Sequence, residues 1–277
     1  MKDAILRRTH RLGAGSVRTR GTQPVYLSPH LDDAGLSCGG LIHRQGQDSS
    51  RPLVITCFAG VPDYPGLSSF ATRMHERWGL PADPVQRRRC EDAAAMTYLG
   101  ADYQHWDYLD CIYRRAPGTG KWMYATEASL FGFVRPEEHD LAVQLADRAA
   151  ASLRPGNALI YAPLLSRHVD HQIVLLAALE LRNRGYEVEY YEDYPYAEEA
   201  YAMSRALATW TVPPTPHRVL LSQQDLDARI GAISLYRSQL AVLFGDESRV
   251  RERVSSFVMS VGLHGNASER YWRGGRI

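Results

Sequence analysis

Residues 24–33 read PVYLSPHLDD, and this stretch decides the fold class of the chain. It begins as a short apolar run and ends in one histidine and two adjacent aspartates, His30, Asp32 and Asp33. A helix is predicted to follow, from about residue 34 to residue 43. A buried strand, a polar turn and a helix form the repeating unit of α/β proteins. Open α/β sheets bind ligands at the carboxyl ends of their strands, so these polar side chains are candidates for a functional site.

The rest of the chain repeats this alternation of apolar runs and helical stretches. Further strands are predicted at about 53–58, 103–106, 158–161, 187–191 and 219–221. Helices are predicted at about 85–99, 137–153 and 223–243, and another runs on from residue 171 to about residue 184. The stretch 61–84 is predicted to be a loop with room for one short helix, and 107–136 is predicted to be irregular; long irregular segments in compact domains are often binding loops. The alternation predicts a mostly parallel sheet flanked by helices.

Length and composition fit a single large domain. The chain has 277 residues, 45% of them hydrophobic, and a net charge of +1, which gives no sign of a nucleic-acid partner. We expect one domain over residues 23–277, preceded by a basic arm, residues 1–22, that is expected to be disordered. No apolar run is long enough to span a bilayer, no secretory signal is recognisable, and the four cysteines form no close pair. These features predict a cytoplasmic protein and leave its oligomeric state open, a homo-oligomer included.

A second cluster of polar residues, His168-Val169-Asp170-His171, also follows a predicted strand. The carboxyl ends of parallel strands open onto one edge of a sheet, so the two clusters can meet. Two imidazoles and a carboxylate suit a catalytic divalent metal, a second carboxylate can act as general base, and a further histidine can assist the leaving group. Either cluster alone also fits a helix cap or a solvated helix face.

Taken together, the two motifs resemble those of the PIG-L/LmbE-like N-acetylglucosaminyl deacetylases, whose first motif is usually written (A/S)-H-P-D-D and whose second is H-x-D-H. The resemblance implies a Rossmann-like, three-layer fold and a zinc ion, with Fe²⁺ as another possible metal. It implies metal ligands at His30, Asp33 and His171, with Asp32 as general base and His168 assisting the reaction. One departure is Leu31, where the family usually has proline, so the ligand turn is less pre-set.

Four further residues are candidates for substrate binding. Arg88 and Asp110 resemble family residues that contact the substrate, although a surface helix and a loop aspartate are the plainer interpretations. Asp193 and Tyr194 follow a predicted strand, and a carboxylate beside an aromatic ring suits sugar recognition. A turn that packs its tyrosines inward is the alternative interpretation.

We therefore expect a metal-dependent hydrolase that removes an N-acyl group, with acetyl the leading choice, from an amino sugar or a conjugate that contains one. The alternative is an amidase for a larger conjugate or a natural-product intermediate. A binding module that uses the metal only to hold a ligand, and a non-haem iron oxygenase, rank lower. The histidines His75, His105 and His139 share no ligand spacing and are expected at the surface.

Overall fold

Seven strands form one sheet in the computed structural model, which describes residues 22–48, 51–63, 66–165 and 167–277. The strands are β1 (Gln23–Ser28), β2 (Leu53–Thr56), β3 (Asp102–His105), β4 (Ala158–Pro163), β5 (Glu187–Tyr191), β6 (Thr215–Leu220) and β7 (Ser268–Arg273). Their order across the sheet is β3-β2-β1-β4-β5-β7-β6. The first five pair in parallel, and β7 pairs antiparallel with both β5 and β6. The prediction of a mostly parallel α/β sheet is confirmed.

Ten α-helices accompany this sheet in the described part of the chain. They are α1 (Asp33–Gly46), α2 (Ser69–Arg77), α3 (Pro84–Leu99), α4 (Glu127–Leu130), α5 (Leu141–Ser152), α6 (Val169–Asn183), α7 (Ala202–Leu207), α8 (Gln223–Ile233), α9 (Arg237–Phe244) and α10 (Arg249–Val261). Short 3-10 helices at Cys111–Tyr113, Pro136–Glu138 and Tyr196–Glu198 lie in the connecting segments.

Alternate residues of β1 face two different layers of helices. Val25 and Leu27 belong to an apolar cluster with residues of α5 and α6, whereas Tyr26 belongs to a cluster with residues of α1, α3 and α8. Residues 24–28 are all buried, because the strand is covered on both faces, as is usual in parallel sheets. The layers are therefore helix, sheet and helix, and the carboxyl end of β1 is the natural place for a site.

Helix α3 has the boundaries that its sequence indicates. Pro84 occupies its first turn, where proline costs no hydrogen bond, and Gly100 ends it in the left-handed region with φ 76°. This helix carries Arg88 towards the carboxyl edge of the sheet.

Several predicted boundaries are wrong. The helix predicted at 137–153 begins only at Leu141, after a 3-10 turn, and the one predicted at 223–243 is divided at residues 234–236. The division lets the hydroxyl of Tyr236 reach inward and donate to Asp92 at 3.0 Å, a tertiary contact that helical periodicity does not reveal. The stretch 61–84 contains one short helix, α2, capped by Ser68, for which the prediction left room. No strand was predicted near the C-terminus, where β7 pairs with both β5 and β6.

The predicted basic arm lies almost wholly outside the described residues. Among the helices that the structure describes, none combines the length and the apolar character that crossing a bilayer requires.

Candidate metal and active site

Ser28 holds the turn between β1 and α1. Its hydroxyl donates to the carbonyl of His30 at 2.7 Å and accepts from the backbone N–H of Ala34 at 3.1 Å. The backbone N–H of His30 donates in turn to Oδ2 of Asp33 at 2.8 Å. His30 and Asp33 therefore stand in defined positions at the carboxyl end of β1, even though the turn has leucine and not proline at position 31.

Three side chains from the two sequence motifs converge at this point. Oδ2 of Asp33 lies 3.3 Å from Nδ1 of His30 and 3.3 Å from Nε2 of His171. Ligand atoms bound tetrahedrally at about 2.0–2.1 Å from a zinc ion lie about 3.3 Å apart. Both separations match the spacing that a shared cation would impose.

The chemistry of these atoms also fits a cation. Nε2 of His171 is buried and has no hydrogen-bond partner among the residues that the structure describes, which is costly unless something occupies the space in front of it. Burial opposes protonation of His171, but the carboxylates of Asp33 and Asp193 outweigh it and raise its pKa to about 10. Burial raises the pKa of Asp33, yet His171 and His30 hold it well below its usual range. The site thus favours positive charge between these groups, which a divalent cation would supply.

Each candidate histidine ligand is oriented by a carboxylate on its other nitrogen. Nε2 of His30 bonds to Oδ2 of Asp170 at 2.9 Å, and Nδ1 of His171 bonds to Oδ1 of Asp193 at 2.6 Å. Carboxylates in this position commonly set the tautomer and raise the basicity of a metal-binding imidazole. Nδ1 of His30 and Nε2 of His171 are left to face Asp33.

Asp32 occupies the N-cap position of α1, but its side chain accepts no hydrogen bond from that helix. Its carboxylate instead accepts from the guanidinium of Arg88 at 3.3 Å. Burial raises the pKa of Asp32 to about 6, although the charge of Arg88 opposes this. A buried carboxylate that is ionised near neutral pH yet basic enough to take a proton has the properties of a general base.

His168 is the N-cap of α6, and its Nδ1 accepts from the backbone N–H of Asp170 at 3.2 Å. Burial and the neighbouring His30 hold the pKa of His168 well below its usual range. A neutral imidazole whose Nδ1 is an acceptor carries its proton on Nε2. This ring lies 4.8 Å from the ring of His30, between centroids, so the N–H donor is close to the candidate metal ligands.

The site opens into a cavity of about 260 Å³. Its polar wall includes His30, Asp32, Asp33, Arg88, Asp110 and His168, and its apolar wall includes Phe70, Met74, Trp78, Leu130, Phe131 and Leu243. The side chain of Asp110 accepts from the backbone N–H of Ile112 at 3.1 Å with Oδ1. Arg88 lies on a buried part of α3 and not on a surface helix. Both expected substrate residues therefore line the cavity.

Asp193 and Tyr194 do not lie where they could bind a sugar. Asp193 is 1% exposed, and it accepts from the backbone N–H groups of Leu164 and Leu165 as well as bonding to His171. Tyr194 is also 1% exposed and packs against Phe244 of α9 and Phe257 of α10, so it does not line this cavity. The turn thus packs these side chains inward, as the alternative interpretation had it.

Tyr196 lines the cavity in place of Tyr194. Its ring lies 5.8 Å from that of His171 and 6.2 Å from that of Phe131, between centroids. The aromatic segment after β5 indicated that a tyrosine could line the site. The conformation of the turn decides which tyrosine faces the cavity. Asp170 lies within the second motif, but the sequence predicted no role for it. Nothing in the sequence singled out its partner Arg114.

Two of the histidines expected at the surface are enclosed. His75 is 5% exposed and bonds to the hydroxyl of Tyr113 at 2.7 Å, and Nε2 of His105 bonds to Asp92 at 2.8 Å. Each is paired within the fold and takes no part in the candidate metal site.

Several known proteins to which this chain is similar are deacetylases. Residues 25–181 match the family model described as PIG-L, GlcNAc-PI de-N-acetylase. A 2'-N-acetylparomamine deacetylase from Niallia circulans is 27% identical over 244 residues, which cover 82% of this chain and 84% of that protein. The zinc-inhibited form of a teicoplanin deacetylase superposes with a TM-score of 0.79 at 30% identity, covering 91% of this chain and 97% of that one. A deacetylase–teicoplanin complex gives a TM-score of 0.76 at 29% identity, covering 91% and 98% of the two chains.

The first and second motifs both fall within the residues that match the family model. Because this match covers more than half of the chain and the similarity to the deacetylase structures extends over most of it, the chain belongs to the PIG-L family of de-N-acetylases.

Proposed function

We propose that this chain is a zinc-dependent hydrolase that removes the N-acetyl group from an amino sugar carried on a larger conjugate. One observation supports the proposal most strongly. The buried carboxylate of Asp32 shares a cavity with His30 and Asp33, whose side chains are spaced for a cation. A general base next to a cation-binding site can promote the attack of water on an amide.

We assign His30, Asp33 and His171 as the residues that hold the metal. Two imidazoles and one carboxylate, with a cavity in front of them, are the donor set of many catalytic zinc sites, and Fe²⁺ accepts the same set. A divalent cation bound there would polarise the amide carbonyl and acidify a water molecule.

Asp32 is the general base in this proposal. Its carboxylate takes a proton from the water whose oxygen attacks the amide carbon. The amide C–N bond then breaks, the proton passes to the departing nitrogen, and acetate and a free amine leave. Arg88 keeps Asp32 oriented towards the cavity through the contact between its guanidinium and Oδ1 of the carboxylate.

His168 supplies a hydrogen-bond donor in the cavity wall, next to His30. The N–H on its Nε2 can bind the oxygen that gains negative charge or deliver a proton to the nitrogen. Its Nδ1 is held by the backbone of Asp170, so the donor direction is set before substrate binds.

Arg88 and Asp110 are proposed to bind the sugar. The carboxylate of Asp110 can accept from vicinal hydroxyl groups, while Nε of Arg88 is buried and has no partner within the described residues. A substrate oxygen would satisfy that N–H group.

The apolar wall of the cavity supports a substrate larger than a free sugar. Phe70, Trp78 and Phe131 form an apolar wall beside the polar residues of the site. The similar proteins act on amino sugars in natural products, as the names 2'-N-acetylparomamine deacetylase and teicoplanin deacetylase indicate. We infer that the apolar wall takes the part of the conjugate next to the sugar, and we place the enzyme in the cytoplasm.

The test compares release of acetate and free amine from N-acetylglucosamine and from its octyl and phenyl glycosides, using zinc-loaded protein. We expect hydrolysis of all three, with the lower KM for the glycosides. Absence of acetate from every N-acetylated amino sugar, with one zinc bound per chain, would refute the proposal. Release of amine from other N-acyl conjugates alone would favour the amidase alternative.

A further inference from the structure

Arg114 lies behind the candidate metal site with a side chain that is only 10% exposed, and its described contacts include none of the residues that would ligate the metal. Its NH2 group donates to Oδ1 of Asp170 at 2.6 Å. The other carboxyl oxygen of Asp170, Oδ2, bonds to Nε2 of His30 at 2.9 Å and accepts from the backbone N–H of Cys111 at 3.0 Å. Asp170 itself is 0% exposed. The hydrogen bond from Arg114 to Oδ1 therefore helps to fix the orientation in which Oδ2 of Asp170 faces His30.

The guanidinium of Arg114 is held on its faces and on its edges. It lies 5.0 Å from the centre of the Phe58 ring and 5.4 Å from that of Tyr124. Its NH1 donates to the carbonyl of Leu109 at 3.0 Å, and it forms an ion pair with Glu138. A planar group fixed in this way can hold two carboxylates at set angles, which a lysine cannot do.

Glu138 extends the chain of contacts to the cavity wall. It is 7% exposed and accepts from the hydroxyl of Tyr124 at 2.6 Å, and that hydroxyl accepts from the backbone N–H of Arg135 at 3.0 Å. Arg135 lies four residues beyond Phe131, whose side chain lines the cavity. The series of contacts thus runs from a candidate metal ligand to the segment that carries part of the apolar wall.

We propose that Arg114 is a positioning residue that fixes the orientation of His30 through Asp170 and ties it, through Glu138, to the wall segment around Phe131. The inference rests on the metal site assigned above. It predicts that Arg114 affects how tightly the metal is held, and that Glu138 affects it through Arg114. The outer partners of metal-binding histidines typically change metal affinity 10–100-fold when they are replaced.

The experiment measures the zinc dissociation constant by competition with a chromogenic chelator, for wild type, Arg114→Lys and Glu138→Gln. Arg114→Lys keeps the charge but cannot bridge both carboxylates, so we expect affinity to fall about 10-fold or more. Glu138→Gln leaves the Asp170 contact in place but frees the far side of the guanidinium, and a smaller loss, about threefold, is expected. Circular dichroism and thermal unfolding would check that each variant is folded.

The matched control is Arg229→Lys. Arg229 is a buried arginine paired with a carboxylate, and its NH1 donates to Glu269 at 3.1 Å, but this pair lies between α8 and β7 and not against the metal site. We expect Arg229→Lys to lower the midpoint of thermal unfolding and to leave zinc affinity within twofold of wild type.

Wild-type zinc affinity in folded Arg114→Lys would overturn the inference. If Arg114→Lys does not fold, Glu138→Gln decides in its place, and unchanged affinity there overturns it. Equal losses in Arg229→Lys would also overturn it, because they would indicate a general effect of destabilisation. Failure of wild type to bind any divalent cation would instead refute the proposed function.

Discussion

Oδ2 of Asp33 lies 3.3 Å from Nε2 of His171, a nitrogen that is buried and has no hydrogen-bond partner within the described residues. The two residues belong to different motifs and to the first turns of different helices, α1 and α6. A cation between them would satisfy both atoms.

Removing His171 should therefore remove the metal. We expect His171→Ala to retain less than about a tenth of the zinc found in wild type, because loss of one of three protein ligands weakens such a site strongly. Elemental analysis after gel filtration measures this. Zinc at one equivalent per chain in the variant would contradict the ligand assignment.

Replacing Asp32 should separate metal binding from turnover. Asp32→Asn keeps the size of the side chain but cannot take a proton, so we expect kcat to fall by about 10²–10⁴. Zinc content should stay at the wild-type level, since Asp32 is not among the assigned ligands. Turnover close to that of wild type would show that another group is the base.

His168 should matter more for kcat than for KM. His168→Ala removes the N–H donor that faces the reacting carbonyl, and loss of one such donor typically costs about 10²–10³ in kcat. The same change removes the cap on α6, so the unfolding midpoint should be recorded alongside. An unchanged kcat in folded protein would exclude His168 from the reaction.

Asp110 offers a test of sugar binding that leaves the local fold intact. Asp110→Asn keeps an oxygen for the backbone N–H of Ile112 but weakens the acceptor available to sugar hydroxyls. We expect KM to rise roughly 10-fold with a smaller change in kcat. A change in kcat alone would indicate that Asp110 acts on the reaction and not on sugar binding.

The pH dependence of stability should reflect Asp225, far from the active site. Burial raises the pKa of this carboxyl, but hydrogen bonds from Arg44 and Ser222 outweigh it and lower the pKa to about 2. A group whose pKa is lowered by folding stabilises the protein above its unfolded value of about 4 and loses that contribution as the pH falls towards 2. Because solvent screens the interactions of this partly exposed carboxylate, the contribution at neutral pH is about 1 kcal/mol.

Urea unfolding of wild type and Asp225→Asn between pH 3 and pH 7 checks this expectation. The difference in unfolding free energy should be largest at pH 7 and should shrink as the pH is lowered. Asp227→Asn on the same helix is the control, because Asp227 is exposed and its replacement should change little. A difference that stays constant with pH would mean that the charge of Asp225 is not what stabilises the fold.

Much of the site could be predicted because metal chemistry restricts the residue types and their spacing. His30 and Asp33 occupy one turn, and the second motif forms the first turn of α6, so each half of the site is a local structure. Parallel strands β1 and β4 are neighbours in the sheet, which brings the two halves together. The prediction therefore needed only the topology and the motifs.

The side chains after β5 could not be predicted in the same way. Asp193, Tyr194 and Tyr196 lie within one short segment whose composition suits both a cavity wall and a packed turn. Which side chain faces the cavity depends on contacts with α6 and α10, and these contacts come from distant parts of the chain. The break between α8 and α9 could not be predicted either, because the bond between Tyr236 and Asp92 that it allows also joins distant residues.

The local pattern of residues was enough to predict the α/β class and the two halves of the candidate metal site, because strand and helix periods and ligand spacing are short-range properties. Folding in three dimensions assigned the supporting roles: Asp193 behind His171, Asp170 behind His30, and Arg114 behind Asp170. These roles depend on hydrogen bonds between residues far apart in sequence, and such bonds leave no periodic signal in the chain.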